Sequence, residues 1–218
     1  MLPLKLWASI TSIDLGRLAD IGEQLQFAGV DGIHVDVADG VFVPDLTFGG
    51  RVVRALSARL SVPIEAHLMI TEPESQLKTM ADEGASRVSF HLESTEYPWR
   101  VATMAKSLGL EVGVAVNPKT STSNLQYLWD VATFINVLTT ELDGVGEHLL
   151  PHMFARVVAT KRALPPHVSI QVDGGMSLEQ IPSFVAAGAT EFVIGRALVD
   201  SPNIHQSMAD LRRTLGDV

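Results

Sequence analysis

The sequence predicts a (β/α)8 TIM barrel, with all 218 residues in a single domain. First, short runs of β-branched and apolar residues alternate with helical stretches along the chain, which favours parallel strand pairing with right-handed crossovers. Second, the glycines that end helical stretches, Gly29, Gly84, Gly109 and Gly188, stand at multiples of about 26 residues, so the chain holds about eight units. A doubly wound open sheet is the alternative, but eight units of nearly equal length favour closure.

The first four units follow from hydrophobic periodicity. Leu15, Leu18 and Leu25 recur on one face of the first predicted helix. Thr71 and Glu74 have the spacing of a capping box, which predicts the start of the third helix. The predicted strands are 4–10, 32–37, 63–69 and 87–91, and the predicted helices are 14–28, 51–60, 71–84 and 98–108.

The last four units show the same alternation. Ser177 and Gln180 repeat the capping-box spacing, and the helix that they start ends before Gly188. The predicted strands are 111–116, 133–138, 168–172 and 191–194, and the predicted helices are 123–130, 152–164, 177–188 and 203–215.

The composition excludes several classes of protein. The sequence has 16 Lys and Arg residues and 25 Asp and Glu residues, which gives a net charge of −9. It therefore offers no stripe of basic residues that could bind nucleic acid. The absence of cysteine excludes disulfides, thiolate metal sites and a thiol nucleophile. No apolar run approaches the roughly 20 residues of a membrane span, and the start does not resemble a signal peptide. We therefore expect a soluble cytoplasmic protein with no membrane or nucleic-acid partner.

Polar residues concentrate at the carboxyl ends of the predicted strands, where TIM barrels place their active sites. They are Ser9, His34, Asp36, His67 and Asp173. Because His34 and Asp36 are two residues apart on a strand, both point into the barrel. Two histidines and two aspartates at one rim form a ligand set for a divalent metal such as zinc, iron(II) or manganese.

Two more polar residues lie at the end of the fourth strand. His91 and Glu93 could help to close such a site, but a buried histidine is more often satisfied by structural hydrogen bonds. We expect the structural role.

Several segments resemble the ribulose-phosphate 3-epimerase family. They are 34–40 (HVDVADG), 42–49 (FVPDLTFG), 67–70 (HLMI), 172–175 (VDGG) and, more weakly, 8–10 (ASI). They occur in the family's order over residues 6 to 200, and the first is highly specific.

The resemblance implies a ribulose-phosphate-binding barrel that inverts C3 of a ketose phosphate, converting D-ribulose 5-phosphate to D-xylulose 5-phosphate through a cis-enediolate. It implies that His34, Asp36, His67 and Asp173 bind one divalent metal, which could be zinc, iron(II), manganese or cobalt, with zinc as the first expectation. It also implies that Asp36 and Asp173 are the acid/base pair that acts on opposite faces of the substrate. A homo-oligomer is a further expectation from the family.

The resemblance also implies a sugar-phosphate site. The residues that it assigns to substrate binding are Ser9, His67, Met69, Gly144, Gly146, Gly174, Gly175, Gly195 and Arg196.

Three departures from the family pattern concern this substrate site. The phosphate loop, 142–147 (LDGVGE), gains two carboxylates, and Arg196 stands where the family usually has serine. Ala38 and Leu138 replace two of three methionines that cover the enediolate in the family. These changes leave open a hexulose phosphate, such as D-allulose 6-phosphate, as the substrate.

Two rival functions remain at this point. A sugar-phosphate decarboxylase or aldolase usually needs a lysine at a strand end, and only Lys119 is near the expected rim. A non-catalytic sugar-phosphate sensor would keep the barrel, but it has no need of two opposed acid/base groups such as Asp36 and Asp173.

Overall fold

Eight parallel strands close into a barrel in chain order, β1 to β8, which confirms the predicted fold class. The computed structural model describes residues 3–123, 125–142 and 148–216. The strands are β1 (Lys5–Ser9), β2 (Gly32–Ala38), β3 (Ile64–Met69), β4 (Arg87–His91), β5 (Glu111–Val116), β6 (Phe134–Leu138), β7 (Ser169–Asp173) and β8 (Glu191–Ile194).

Helices follow the strands and cover the outside of the barrel. They are α1 (Leu18–Phe27), α2 (Gly50–Ser57), α3 (Glu74–Asp82), α4 (Pro98–Ser107), α5 (Met153–Ala163), α6 (Ile181–Ala187), α7 (Arg196–Val199) and α8 (Ile204–Leu215). Short 3-10 turns at Leu15–Arg17 and Leu178–Gln180 precede α1 and α6. Within the described residues, no helix has the length and apolar character needed to span a membrane.

The glycines at the ends of the helical stretches have the left-handed backbone that the spacing argument requires. Gly29 and Gly188 have φ values of +90° and +107°. Residues with a Cβ rarely adopt this conformation, so glycine ends the helix and turns the chain toward the next strand.

Many polar and charged side chains point into the barrel interior. Outward-facing strand residues such as Ile33 and Val35 pack beneath the helices, whereas the alternate residue His34 points inward. At the amino-terminal end, the buried Arg87 guanidinium pairs with Glu65 at 3.1 Å and with Glu191 at 2.6 Å. The amino-terminal end of the interior therefore holds a buried network of ion pairs.

Two aromatic rings enclose this buried guanidinium. It lies 4.5 Å from the ring centre of Trp7 and 3.4 Å from that of Phe134. A Cβ at Gly32 would lie 2.2 Å from the Trp7 ring, and one at Gly113 would lie 2.1 Å from the Phe134 ring. Both glycines are therefore needed to make room for the rings.

One predicted capping box is present and the other is wrong. Ser177 and Gln180 form the reciprocal pair of hydrogen bonds. The N-cap of α3 is Pro73, whose side chain has no hydrogen-bonding group. The Thr71 hydroxyl does not cap the helix but donates to Asp39 Oδ2 at 2.7 Å. A tertiary contact to the loop after β2 thus displaces the local motif.

The helix predicted at 123–130 is also wrong. Within 125–130 only a 3-10 turn forms, at Gln126–Leu128. Leu125, Leu128 and Trp129 are all buried, so this segment packs against the barrel through closely spaced side chains. Burial of these side chains, rather than helical periodicity, therefore decides the shape of this segment.

Candidate metal centre

Four side chains that the sequence singled out converge at the carboxyl-terminal mouth of the barrel. His34, Asp36, His67 and Asp173 each present one donor atom, and these atoms all lie within 4.8 Å of one another. His34 Nε2 is 3.2 Å from Asp36 Oδ1 and 3.3 Å from His67 Nδ1. Both histidine nitrogens are 3.5 Å from Asp173 Oδ2.

Strand register explains the convergence. Asp36 on β2 pairs in register with His67 on β3, so the two residues stand at the same height. His34 lies two residues before Asp36 on the same face of β2. Asp173 ends β7 and reaches the cluster across the barrel mouth. Closure of the barrel, rather than proximity in sequence, therefore creates the group.

The spacing of the donor atoms fits a divalent metal. Ligands that lie 2.0 to 2.2 Å from one ion in a tetrahedron are about 3.3 to 3.6 Å apart. The five distances within the cluster that involve a histidine range from 3.1 to 3.5 Å. Two imidazole nitrogens and two carboxylate oxygens could hold zinc, iron(II), manganese or cobalt, and this donor set does not select among them.

The electrostatics of His34 show that the cluster attracts positive charge. Burial by itself lowers the pKa of His34, but the surrounding carboxylates of Asp36, Glu65 and Asp173 raise it well above 6.5. When both neutral rings carry their protons on the far nitrogens, the two nitrogens of His34 and His67 that face each other present lone pairs to each other at 3.3 Å. A cation, either a proton or a metal ion, resolves this repulsion.

A buried carboxylate supports His34 from behind. Glu65 Oε1 lies 3.4 Å from His34 Nδ1, the ring nitrogen that faces away from the cluster. Burial raises the pKa of Glu65, but Arg87 and His34 lower it to about 2. An ionised Glu65 favours the proton of neutral His34 on Nδ1, which leaves the Nε2 lone pair for a metal.

The environments of the two aspartates push their pKa values apart. Burial raises the pKa of Asp36, but His34 and His67 outweigh it and hold that pKa well below its ordinary value. Burial also raises the pKa of Asp173, and there the opposing effect of His34 does not outweigh it. Two carboxyl groups with separated pKa values are typical of an acid/base pair.

A cavity of about 600 Å³ opens above the cluster. Asp36, His67 and Asp173 form part of its floor, while His34 is fully buried beneath them. Of the predicted substrate residues, Ser9 and Met69 line its wall. The Ser9 hydroxyl donates to Asp36 Oδ2 at 3.1 Å.

Most of the predicted phosphate residues lie on the wall of the same cavity. Gly174, Gly175, Gly195 and Arg196 line it. A Cβ at Gly174 would lie 2.4 Å from Thr140, so the backbone after β7 leaves no space for a side chain. Gly144 and Gly146 lie outside the described residues.

Two residues that hold the aspartates were not predicted from the sequence. The Thr11 hydroxyl donates to Asp36 Oδ2, beside the bond from Ser9. Asn136 Nδ2 donates to Asp173 Oδ2 at 3.1 Å. Thr11 follows Ser9 by two residues, which is a signal present in the sequence. Asn136 lies inside β6, and the pairing of β6 with β7 brings it close to Asp173.

His91 and Glu93 lie behind His67 rather than over the cavity. His91 Nε2 is 2.9 Å from His67 Nε2, the ring nitrogen that faces away from the cluster. Burial lowers the pKa of His91 to about 4, so the ring is neutral at pH 7. These contacts agree with the expected hydrogen-bonding role.

Comparison with known proteins identifies relatives over nearly the whole chain. A sequence model described as the ribulose-phosphate 3 epimerase family matches residues 5–199. The ribulose-phosphate 3-epimerase of Escherichia coli is 31% identical over 214 residues, which cover 96% of this chain and 95% of that protein. The enzyme of the same name from Mycobacterium tuberculosis is 33% identical over 211 residues, covering 95% of this chain and 91% of that protein.

Solved structures share the fold at low sequence identity. KGPDC from Streptococcus mutans superimposes with a TM-score of 0.75 at 15% identity, covering 100% of this chain and 99% of that chain. A mutant tryptophan synthase alpha-subunit from Pyrococcus furiosus gives a TM-score of 0.72 at 16% identity, covering 99% of this chain and 100% of that chain. At these identities the likeness establishes the barrel alone.

Proposed function

Because the chain belongs to the ribulose-phosphate 3-epimerase family and is therefore an isomerase, we propose that it interconverts D-ribulose 5-phosphate and D-xylulose 5-phosphate at the four-residue cluster. The observation that carries this proposal is the convergence of Asp36, His67 and Asp173 on the floor of one cavity, with His34 directly beneath them. The cluster offers both a site for a metal ion, which would stabilise the enediolate, and two ionisable groups, which would move protons on opposite faces.

The four residues would hold one divalent metal. When bound, the ion supplies Lewis-acid stabilisation of the negative charge that develops on the C2 and C3 oxygens as the C3 proton leaves. Without such stabilisation, a proton next to a ketone is too weakly acidic for a carboxylate to remove.

The two aspartates would transfer the protons. Asp36, whose pKa is lowered, would be the carboxylate that removes the C3 proton of one epimer. Asp173, whose pKa is raised, would be the acid that delivers a proton to the opposite face and so gives the inverted epimer. In the reverse direction the roles exchange. Ser9 and Thr11 orient Asp36, and Asn136 orients Asp173.

The opposite end of the substrate would carry the phosphate. Gly174, Gly175 and Gly195 allow close approach of a ligand to the backbone, and the Arg196 guanidinium can form a paired hydrogen bond to phosphate oxygens. All four residues belong to the cavity wall, which supports a phosphorylated rather than a neutral sugar as the substrate.

A hexulose phosphate is the second candidate substrate, and Ala38 is the observation that favours it. This small side chain lines the cavity and packs with Met69 and Val43 beside the cluster. A longer side chain at position 38 would occupy space that a sixth substrate carbon could use.

The test is turnover of a substrate panel followed by NMR in deuterium oxide. The panel contains ribulose 5-phosphate, allulose 6-phosphate and the two unphosphorylated sugars, each with and without a chelator. We expect inversion of the pentulose phosphate with deuterium incorporated at C3, and loss of both when the metal is removed. Activity on the unphosphorylated sugars alone, or inversion without deuterium incorporation, would contradict the proposal. Preferred turnover of the hexulose phosphate would favour the second candidate.

A further inference from the structure

Behind the cluster, His67 contacts a second buried histidine. The two Nε2 atoms of His67 and His91 are 2.9 Å apart. Their ring centres are 5.0 Å apart and their planes differ by 21°, so the rings lie nearly end to end, in the geometry of a ring-to-ring hydrogen bond. Both side chains are buried, so water cannot replace this bond.

The position of protons follows from the donor requirements of the cluster. If His67 offers the Nδ1 lone pair to the cluster, the proton of its neutral ring is on Nε2. His67 then donates to His91 Nε2, and the proton of neutral His91 must be on Nδ1. That atom is buried and makes no well-formed hydrogen bond within the described residues. The acceptor toward which it points is Glu93 Oε2, 3.5 Å away.

Glu93 is fixed as an ionised acceptor by the next loop. Its other carboxylate oxygen, Oε1, accepts a bond from the backbone N–H of Asn117 at 2.9 Å and a bond from the Thr120 hydroxyl. The Arg156 guanidinium on α5 holds that loop by donating to the carbonyl oxygens of Asn117 and Thr120 at 2.9 and 2.6 Å. Only Oε2 of Glu93 is left to face His91.

We infer that His91 and Glu93 are positioning residues of the metal centre: they hold the His67 ring in the tautomer and orientation that present Nδ1 to the ion. The inference rests on the proposed function, because it assigns to His67 the role of metal ligand. Each histidine ligand is then positioned by a different carboxylate. Glu65 contacts His34 directly, and Glu93 acts on His67 through His91. Carboxylates behind ligand histidines commonly determine metal affinity in this way.

The first test is zinc affinity, measured by competition with a chromophoric chelator. In Glu93→Gln the amide can donate to His91 as well as accept from it, so the proton order along the chain is no longer enforced. We expect a 10- to 100-fold weaker zinc affinity than in the wild type. Glu96→Gln, the same change at an exposed residue of the same loop, is the matched control and should bind zinc as the wild type does. Glu93→Asp should recover part of the affinity.

The second test needs no substitution. Nitrogen-15 NMR of the zinc-loaded wild type reports which ring nitrogen of His67 carries the proton. We expect zinc on Nδ1 and the proton on Nε2. A proton on Nδ1 would overturn the inference, as would a zinc affinity of Glu93→Gln within twofold of the wild type.

The outcomes separate the inference from the proposed function. A wild type that epimerises only with metal, together with a Glu93→Gln variant of unchanged zinc affinity, refutes the positioning role and leaves the function intact. A wild type that binds no zinc, iron(II), manganese or cobalt refutes both.

Discussion

Replacement of Asp173 by asparagine separates the two proton transfers that inversion requires. The change removes the ionisable proton and preserves the shape of the side chain. An oxygen of the new amide can still accept from Asn136, which donates to Asp173 Oδ2 at 3.1 Å. The barrel and the cavity floor should therefore persist. Loss of one positioned acid/base group typically reduces the rate by 10²- to 10⁴-fold, about 2.7 to 5.5 kcal/mol in the barrier.

The informative assay for Asp173→Asn is deuterium exchange at C3, measured with saturating metal and with each epimer in turn. If Asp36 and Asp173 act on opposite faces, this variant still exchanges the C3 proton of the epimer that faces Asp36, while interconversion stops. Asp36→Asn should show the converse pattern, with exchange confined to the other epimer. Asp82→Asn, the same change at an exposed surface carboxylate paired with Lys78, is the control and should behave as the wild type.

Two results would show that Asp36 and Asp173 do not act as the two acid/base groups on opposite faces of the substrate. Interconversion by Asp173→Asn within tenfold of the wild-type rate would show that Asp173 is not one of two essential acid/base groups. Exchange of the C3 protons of both epimers by Asp173→Asn would show that a proton acceptor other than Asp173 reaches both faces of the substrate.

Three further predictions concern the packing, the pH response and the substrate. Gly113→Ala should lower the free energy of unfolding in urea by about 1 to 3 kcal/mol, because its Cβ would lie 2.1 Å from the Phe134 ring. Gly49→Ala is the control and should cost little, because its Cβ would meet nothing within 4 Å. Equal effects of the two substitutions would contradict this prediction. Hydrogen bonds lower the pKa of Glu93 from 4.5 to about 2, despite the opposing effect of burial. Its ionised form therefore stabilises the fold above pH 4.5, and the destabilisation of Glu93→Gln in urea should shrink as the pH falls toward 2; a pH-independent difference would contradict this. Ala38→Met should lower kcat/KM for a hexulose phosphate relative to a pentulose phosphate by about tenfold, and an unchanged ratio would remove the argument for the larger substrate.

The barrel could be predicted because its signals are local in sequence, and the cluster could be predicted because a barrel places its strand ends at one rim. Glycines such as Gly29 and Gly188 mark helix ends through a backbone conformation that other residues avoid. Once a barrel is assumed, strand ends share one rim, and His34 and Asp173 must lie near each other although they are far apart in the chain. Topology therefore supplies the proximity that sequence spacing does not.

The parts that could not be predicted depend on contacts through space. Thr71 has the spacing of a capping residue, but its hydroxyl bonds to Asp39 on another loop, which no local pattern reveals. The contacts from Glu93 through His91 to His67 join the turn after β4, the end of β4 and the neighbouring strand β3. His91 was expected to make hydrogen bonds, yet only the structure shows that its partner is a candidate metal ligand.

A metal titration of the metal-free protein, with epimerisation of ribulose 5-phosphate as the readout, tests directly whether inversion depends on a metal bound at the cluster. If His34, Asp36, His67 and Asp173 form one metal centre on which inversion depends, turnover should be absent at first. It should then rise with added ion and level off at one ion per chain. Full turnover by the metal-free protein would contradict a metal-dependent reaction. Turnover that still rises to the same level with added ion when both histidines are replaced by alanine would contradict a metal centre at these residues.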